Sequence, residues 1–111
     1  MNTELIQSIY RIVVNGVDSK WKVIEFRYKI DDTQSEYQGS YKTEDDKGYF
    51  DPDWLSREER NELSDLLLLL RSKMGETSGE LFTHCILKFE SDGNFNIDVS
   101  YGPVDWSVMA D

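Results

Sequence analysis

With one cysteine, Cys85, the chain can close no internal disulfide, and with one histidine, His84, beside it there is no set of soft ligands for a zinc site. Bases are also scarce. Twelve Lys and Arg against 22 Asp and Glu leave a net charge of −10, so the phosphate neutralisation on which direct nucleic-acid binding depends is not expected. Such a balance suits a basic protein partner, and it equally serves solubility alone. No apolar run approaches the roughly 20 residues that a membrane span needs. The first stretch, MNTELIQSIYRIVV, carries acid before base and lacks a small-residue cleavage site, so it does not read as a signal peptide. These absences predict a soluble protein of a reducing cytoplasm, and 111 residues suffice for one domain with its own core.

The motifs of catalysis are missing too. There is no phosphate-cradling glycine loop, serine elbow or dinucleotide fingerprint. His84 and Cys85 are adjacent, and an extended strand would send them to opposite faces, which rules them out as base and nucleophile. The acid pairs Asp31-Asp32 and Asp45-Asp46 fall in polar turns, where nothing would separate their pKa values. No catalytic residue, cofactor or metal is therefore assigned, and the chain is not expected to be an enzyme.

What the sequence does contain is organised around Ser56 to Gly75, SREERNELSDLLLLLRSKMG. Ser56 with Glu59 three residues on is a capping box, Glu58 and Glu59 complement the positive end of the helix dipole, and Arg71 and Lys73 sit towards the other end. Gly75 reads as the stop. At 100° per residue Leu63, Leu66, Leu67, Leu70 and Met74 share one stripe, with Leu69 on its flank and Leu68 pointing well away. Leu68 then needs another neighbour, either a loop or the C-terminal tail, or a partner protein. A second, amphipathic helix is predicted over Thr3 to about Val14, where Leu5, Ile6, Ile9, Tyr10 and Val13 recur at helical spacing before Asn15-Gly16.

Strands are predicted around these helices. In Lys20 to Ile30, Ile24, Phe26, Tyr28 and Ile30 alternate on one face while Trp21 and Val23 take the other, suggesting a bulge or a start buried on both sides. After the polar turn 31–35, Glu36 to Lys42 completes a hairpin in which Gly39 gives room to large aromatics. Glu80 to Phe89 and Asn94 to Tyr101 alternate around Ser91-Asp92-Gly93, a second hairpin. Gly102-Pro103 ends it, and the tail from Val104 to Asp111, with Trp106, is expected to fold back over the sheet or the leucine-rich helix. The fold class that follows is α+β, a four-stranded antiparallel sheet of two hairpins packed with an N-terminal and a central helix.

Between the hairpins, Thr43 to Gly48 reads as a charged loop, and Tyr49 to Trp54 leads into the central helix through Pro52. Glu44, Asp45, Asp46, Asp51 and Asp53 are spaced around Tyr49, Phe50 and Trp54. The order is not that of an EF-hand, so calcium is not expected on this pattern. One reading is a solvated loop whose aromatics anchor it in the core. The other is a docking surface for a basic protein, with Glu44, Asp45, Asp46, Asp51 and Asp53 steering and Tyr49 and Phe50 as anchors.

The order helix, hairpin, acidic loop, long helix, hairpin, aromatic tail resembles the YezG-like bacterial antitoxins, immunity proteins that accompany secreted polymorphic toxins. The local matches are Trp21-Lys22-Val23, the leucine-rich central helix, and the run Ser91 to Tyr101, SDGNFNIDVSY, followed by Asp105-Trp106. The resemblance covers most of the chain loosely and the last fifth more closely; the loops here are short for the family. It implies neutralisation by tight binding of a cognate toxin, often a nuclease, in a bacterial cytoplasm, as in contact-dependent inhibition. An alternative is a small acidic adaptor or regulatory subunit with a non-toxin protein partner.

Overall fold

In the computed structural model, which describes residues 3–17, 20–51 and 53–106, the central helix begins where the capping box puts it. The Ser56 hydroxyl accepts the Glu59 N–H at 3.2 Å, and the Glu59 carboxylate accepts the Ser56 N–H at 3.1 Å, so two donors left free by the first turn are satisfied reciprocally. This helix, α2, runs Arg57–Ser78, and it passes through Gly75 to stop at Gly79, whose φ of 84° is the left-handed cap. The expected stop at Gly75 is thus corrected, and the reason is packing: a Cβ on Gly75 would lie 2.7 Å from a methyl of Leu81. Here the glycine makes room for a returning side chain. Arg71, expected to complement the dipole, instead donates from Nε to the Phe82 carbonyl at 2.7 Å and ties α2 to the segment that follows it.

Leu63, Leu67 and Leu70 are fully buried along α2, contributing roughly 2 kcal/mol each by area. They meet Ile6, Ile9, Ile12 and Val13 of the first helix, α1 (Thr3–Val13), which continues into a short 3-10 turn over Val14–Gly16. Leu68 and Leu69 are 49% and 46% exposed. Leu69, expected on the flank of the stripe, is thus about as exposed as Leu68, and the expectation that a loop or the tail covers Leu68 is not met by the described residues.

Beneath the helices lies one antiparallel sheet of five strands in the order β3-β2-β1-β4-β5, formed by β1 (Val23–Ile30), β2 (Ser35–Lys42), β3 (Lys47–Tyr49), β4 (His84–Glu90) and β5 (Phe95–Ser100). Ile24, Phe26, Tyr28 and Ile30 face the helices together with Cys85, Leu87 and Phe89, as the period of two requires. The four-stranded expectation is corrected by β3. Thr43 and Asp46 close a tight turn, with the Thr43 N–H on the Asp46 carbonyl at 2.8 Å and the Asp46 N–H on the Thr43 hydroxyl at 3.0 Å. The chain then pairs back over three residues, Lys47 to Tyr49 against Lys42 to Ser40. Three residues are too few to show an alternation, which is why the stretch reads as loop.

The pairing of β1 with β2 is unbroken from Val23 opposite Lys42 to Ile30 opposite Ser35, so the phase change at Trp21 and Val23 is not a bulge. Trp21 lies before the strand and packs edge-on against Tyr10 of α1. At the opposite hairpin Gly93 has φ 99°, the conformation that the Asp92-Gly93 turn calls for. From there the chain crosses back to the β1–β2 turn, where the Trp106 indole N–H donates to Asp31 at 2.6 Å and the Lys29 ammonium to the Asp105 carbonyl at 3.2 Å. The expected return of the tail over the sheet holds as far as Trp106. Residues 107 to 111 lie outside the described residues, as does Pro52.

Candidate functional site

The acidic segment 44–53 forms one margin of the sheet. Glu44, Asp45 and Asp46 stand exposed at the β2–β3 turn, and Asp51 and Asp53 stand exposed where the chain leaves β3 for α2. Asp46 is partly spent on its own turn, its carboxylate accepting the Lys47 N–H at 3.0 Å. The two groups of acids are separated by β3 and its flanks, from Asp46 to Asp51, on the order of 15 Å at strand rise, and Lys47 is the base between them. Beside the turn, Glu44 shares a cleft of about 570 Å³ with Lys20, Trp21, Lys22 and Ser91, so its charge is partly answered from within the chain.

The two aromatics of this segment part company. Tyr49 is 64% exposed and lies opposite Ser40 on the face of the sheet that carries no helix. It walls three shallow hollows: about 260 Å³ with Val23, Lys42 and Lys47, about 180 Å³ with Glu25, Arg27, Gln38 and Ser40, and about 210 Å³ with Asn15, Asp51 and Trp54. Phe50, the next residue, points to the opposite face and is buried. Its ring lies between two glycine backbones, since a Cβ on Gly16 would fall 2.3 Å from it and a Cβ on Gly39 2.4 Å. It meets Trp54 edge-on at 4.9 Å between centroids. Phe50 is therefore a core residue and is withdrawn as an anchor for a partner; Gly39 gives it space, as expected for a strand glycine that faces aromatics.

The helix-free face of the sheet was not legible as a unit from the sequence. Arg27 donates to Glu25 at 3.0 Å, Lys29 lies 3.7 Å from Glu36, and Lys42, Lys47 and Lys88 share the face by register. Its charges are near balance, so the excess of carboxylates lies at the turns, on the outer side of α2 and along segment 44–53. The buried oxygen of Gln38 accepts no hydrogen bond among the described residues.

Nothing in the pairing of His84 and Cys85 resembles a dyad. Burial pushes the Cys85 thiol up to about 12, helped by the negative charge of Asp98, so it is a packed thiol and no nucleophile. Burial likewise raises the Tyr28 hydroxyl to about 12, against the opposing influence of Arg71. Asp31 goes the other way: hydrogen bonds from the Thr33 hydroxyl first, then the Trp106 indole and the Thr33 and Gln34 N–H groups, hold it well below the carboxylate range. That is the chemistry of a structural clasp. Among the described residues no three His, Cys, Asp or Glu side chains converge as metal ligands do, and no helix is long and apolar enough to cross a membrane. Comparison with known protein families and with curated proteins finds no match to the chain.

Proposed function

We propose that this chain is a bacterial immunity protein that works in the cytoplasm, binding a cognate basic toxin domain, a nuclease by preference, and neutralising it without any reaction of its own. The observation that carries the reading is the exposed margin of Glu44, Asp45, Asp46, Asp51 and Asp53 around the 64%-exposed Tyr49. Nuclease sites are basic because they hold phosphate, and an acidic surface competes for the same ground or binds beside it and excludes substrate. Tyr49 supplies a stiff amphipathic side chain of the kind that dominates interface energetics. The resemblance to YezG-like antitoxins gives the reading its biological class, and the acid margin gives it its chemistry.

Co-expression with the neighbouring reading frame tests it. Growth should be rescued by the unmodified chain, and the two products should co-purify. Absence of binding to any neighbouring gene product would refute immunity.

A further inference from the structure

The two edges of the sheet are not alike. At one edge β3 is three residues long, with a lysine and a glycine among them, features that discourage pairing with another chain. The other edge, β5, is six residues long and regular in register from Phe95 to Ser100. It carries no lysine or proline, and among the described residues β4 is its one hydrogen-bonded neighbour.

The phase of its free hydrogen-bonding groups can be fixed. The Glu90 N–H reaches the Asn94 carbonyl at 2.8 Å and the Thr83 N–H reaches the Ser100 carbonyl at 3.0 Å. Inward-directed groups alternate along an antiparallel strand, so Asn96 and Asp98 also face β4, and the N–H and C=O groups of Phe95, Ile97 and Val99 face outward. The side chains of those same three residues lie on the helix side of the sheet, opposite Phe89, Leu87 and Cys85. Phe95 is 37% exposed and Tyr101, next in the row, 41%. A ladder of backbone groups with no partner among the described residues thus runs beside an apolar row with one flank open.

Charge decides what fits there. From Ser91 to Trp106 the chain has three carboxylates, Asp92, Asp98 and Asp105, and no Lys or Arg. A second copy would bring acid to acid and add its own net charge of −10. We infer that β5 receives an extended segment of a basic partner protein, which adds a sixth strand, setting apolar residues beside Phe95, Ile97 and Val99 and Lys or Arg on the other face beside Asp98. This inference does not rest on the immunity reading, since the acid margin at β3 lies at the far edge of the sheet, roughly 20 Å away at ordinary strand spacing.

The test uses the whole protein and two synthetic nonapeptides of one composition, one alternating Val or Ile with Lys and one scrambled. The alternating peptide should slow amide exchange at Phe95, Ile97 and Val99 by tenfold or more. It should lose at least tenfold in affinity when N-methylated along one edge, or when Asp98→Lys is introduced. Ile97→Pro removes an outward N–H without touching the β4 ladder and should abolish the protection; its melting curve reports whether it folds. Equal binding of the two peptides, protection confined to residues 44–53, or an unaffected N-methyl peptide would overturn the inference. So would a dimer in sedimentation that Ile97→Pro dissociates, because the edge would then belong to a second copy. If the alternating peptide binds β5 while no neighbouring gene product binds, immunity fails and the edge stands. If a neighbouring toxin binds while the alternating peptide gives no protection at Phe95, Ile97 and Val99, immunity stands and the edge fails.

Discussion

Phe50 offers the sharpest test of the structure, because the sequence permits two opposite roles for it and the fold selects one. If it is the buried slab between Gly16 and Gly39, Phe50→Ala should cost about 3–5 kcal/mol, the range for a large aromatic removed from a core. At about 4 °C per kcal/mol for a domain of this size, that lowers Tm by about 12–20 °C. Gly39→Ala in the native background puts a methyl within 2.4 Å of the ring and should cost about 1–3 kcal/mol as overpacking. In the Phe50→Ala background the same methyl enters vacated space. There it should stabilise by about 1 kcal/mol, from one buried carbon and the relief of glycine's backbone entropy. The coupling in a double-mutant cycle is then about 2–4 kcal/mol. Urea unfolding of the four proteins measures it. Additive effects, or a Phe50→Ala variant that melts like the native chain and loses only partner binding, would refute the placement of Phe50 in the core.

Leu67 is fully buried and Leu68 49% exposed, so Leu67→Asp should unfold the domain at room temperature while Leu68→Asp should cost less than about 1 kcal/mol; equal losses in thermal melts would mean a wrong helical phase. Gly93→Val should destabilise the β4–β5 hairpin by about 1–3 kcal/mol, because φ there is 99° and a β-branched residue is strained at such angles; an unchanged Tm would contradict it. Because Asp31 has a folded pKa below its ordinary value of 3.8, its contribution is in place above that value and is lost only as pH falls towards the lower folded one. The Trp106 indole N–H signal in NMR should accordingly hold its neutral-pH position through pH 3.8 and shift on Asp31→Asn, whereas a midpoint at the ordinary value would dismiss the clasp.

How much of this could be read in the sequence depended on how many residues carried each signal. The capping box at Ser56 and Glu59, the Asp92-Gly93 turn and the stripe of Leu63, Leu66, Leu67, Leu70 and Met74 are local and repeated, and they reappear in the structure, with Leu66 and Met74 only partly buried. The third strand was hidden because three residues show no period, and the end of α2 because Gly75 answers to Leu81, six residues away in sequence and visible only once the chain has turned back. Segment 44–53 was legible as acidic but not as two-faced. Adjacent residues of a strand point opposite ways, so Tyr49 and Phe50 could not both have been anchors, a consequence that follows only when the segment is seen to be a strand. The helix-free face was invisible for the reason that its residues come from every strand and form no run.

Association kinetics test the central claim most directly. The native chain and a variant with Glu44→Gln, Asp45→Asn, Asp46→Asn, Asp51→Asn and Asp53→Asn should be compared for binding to the adjacent basic gene product at low salt and at physiological ionic strength. At the latter the Debye length is about 8 Å. Exposed carboxylates contribute little to folding, so the variant should keep its Tm. Its association rate at low salt should be lower by about tenfold or more, and its dependence on salt much flatter. A native rate that does not change with salt, or a variant that associates as fast as the native chain, would contradict the role given to the acid margin.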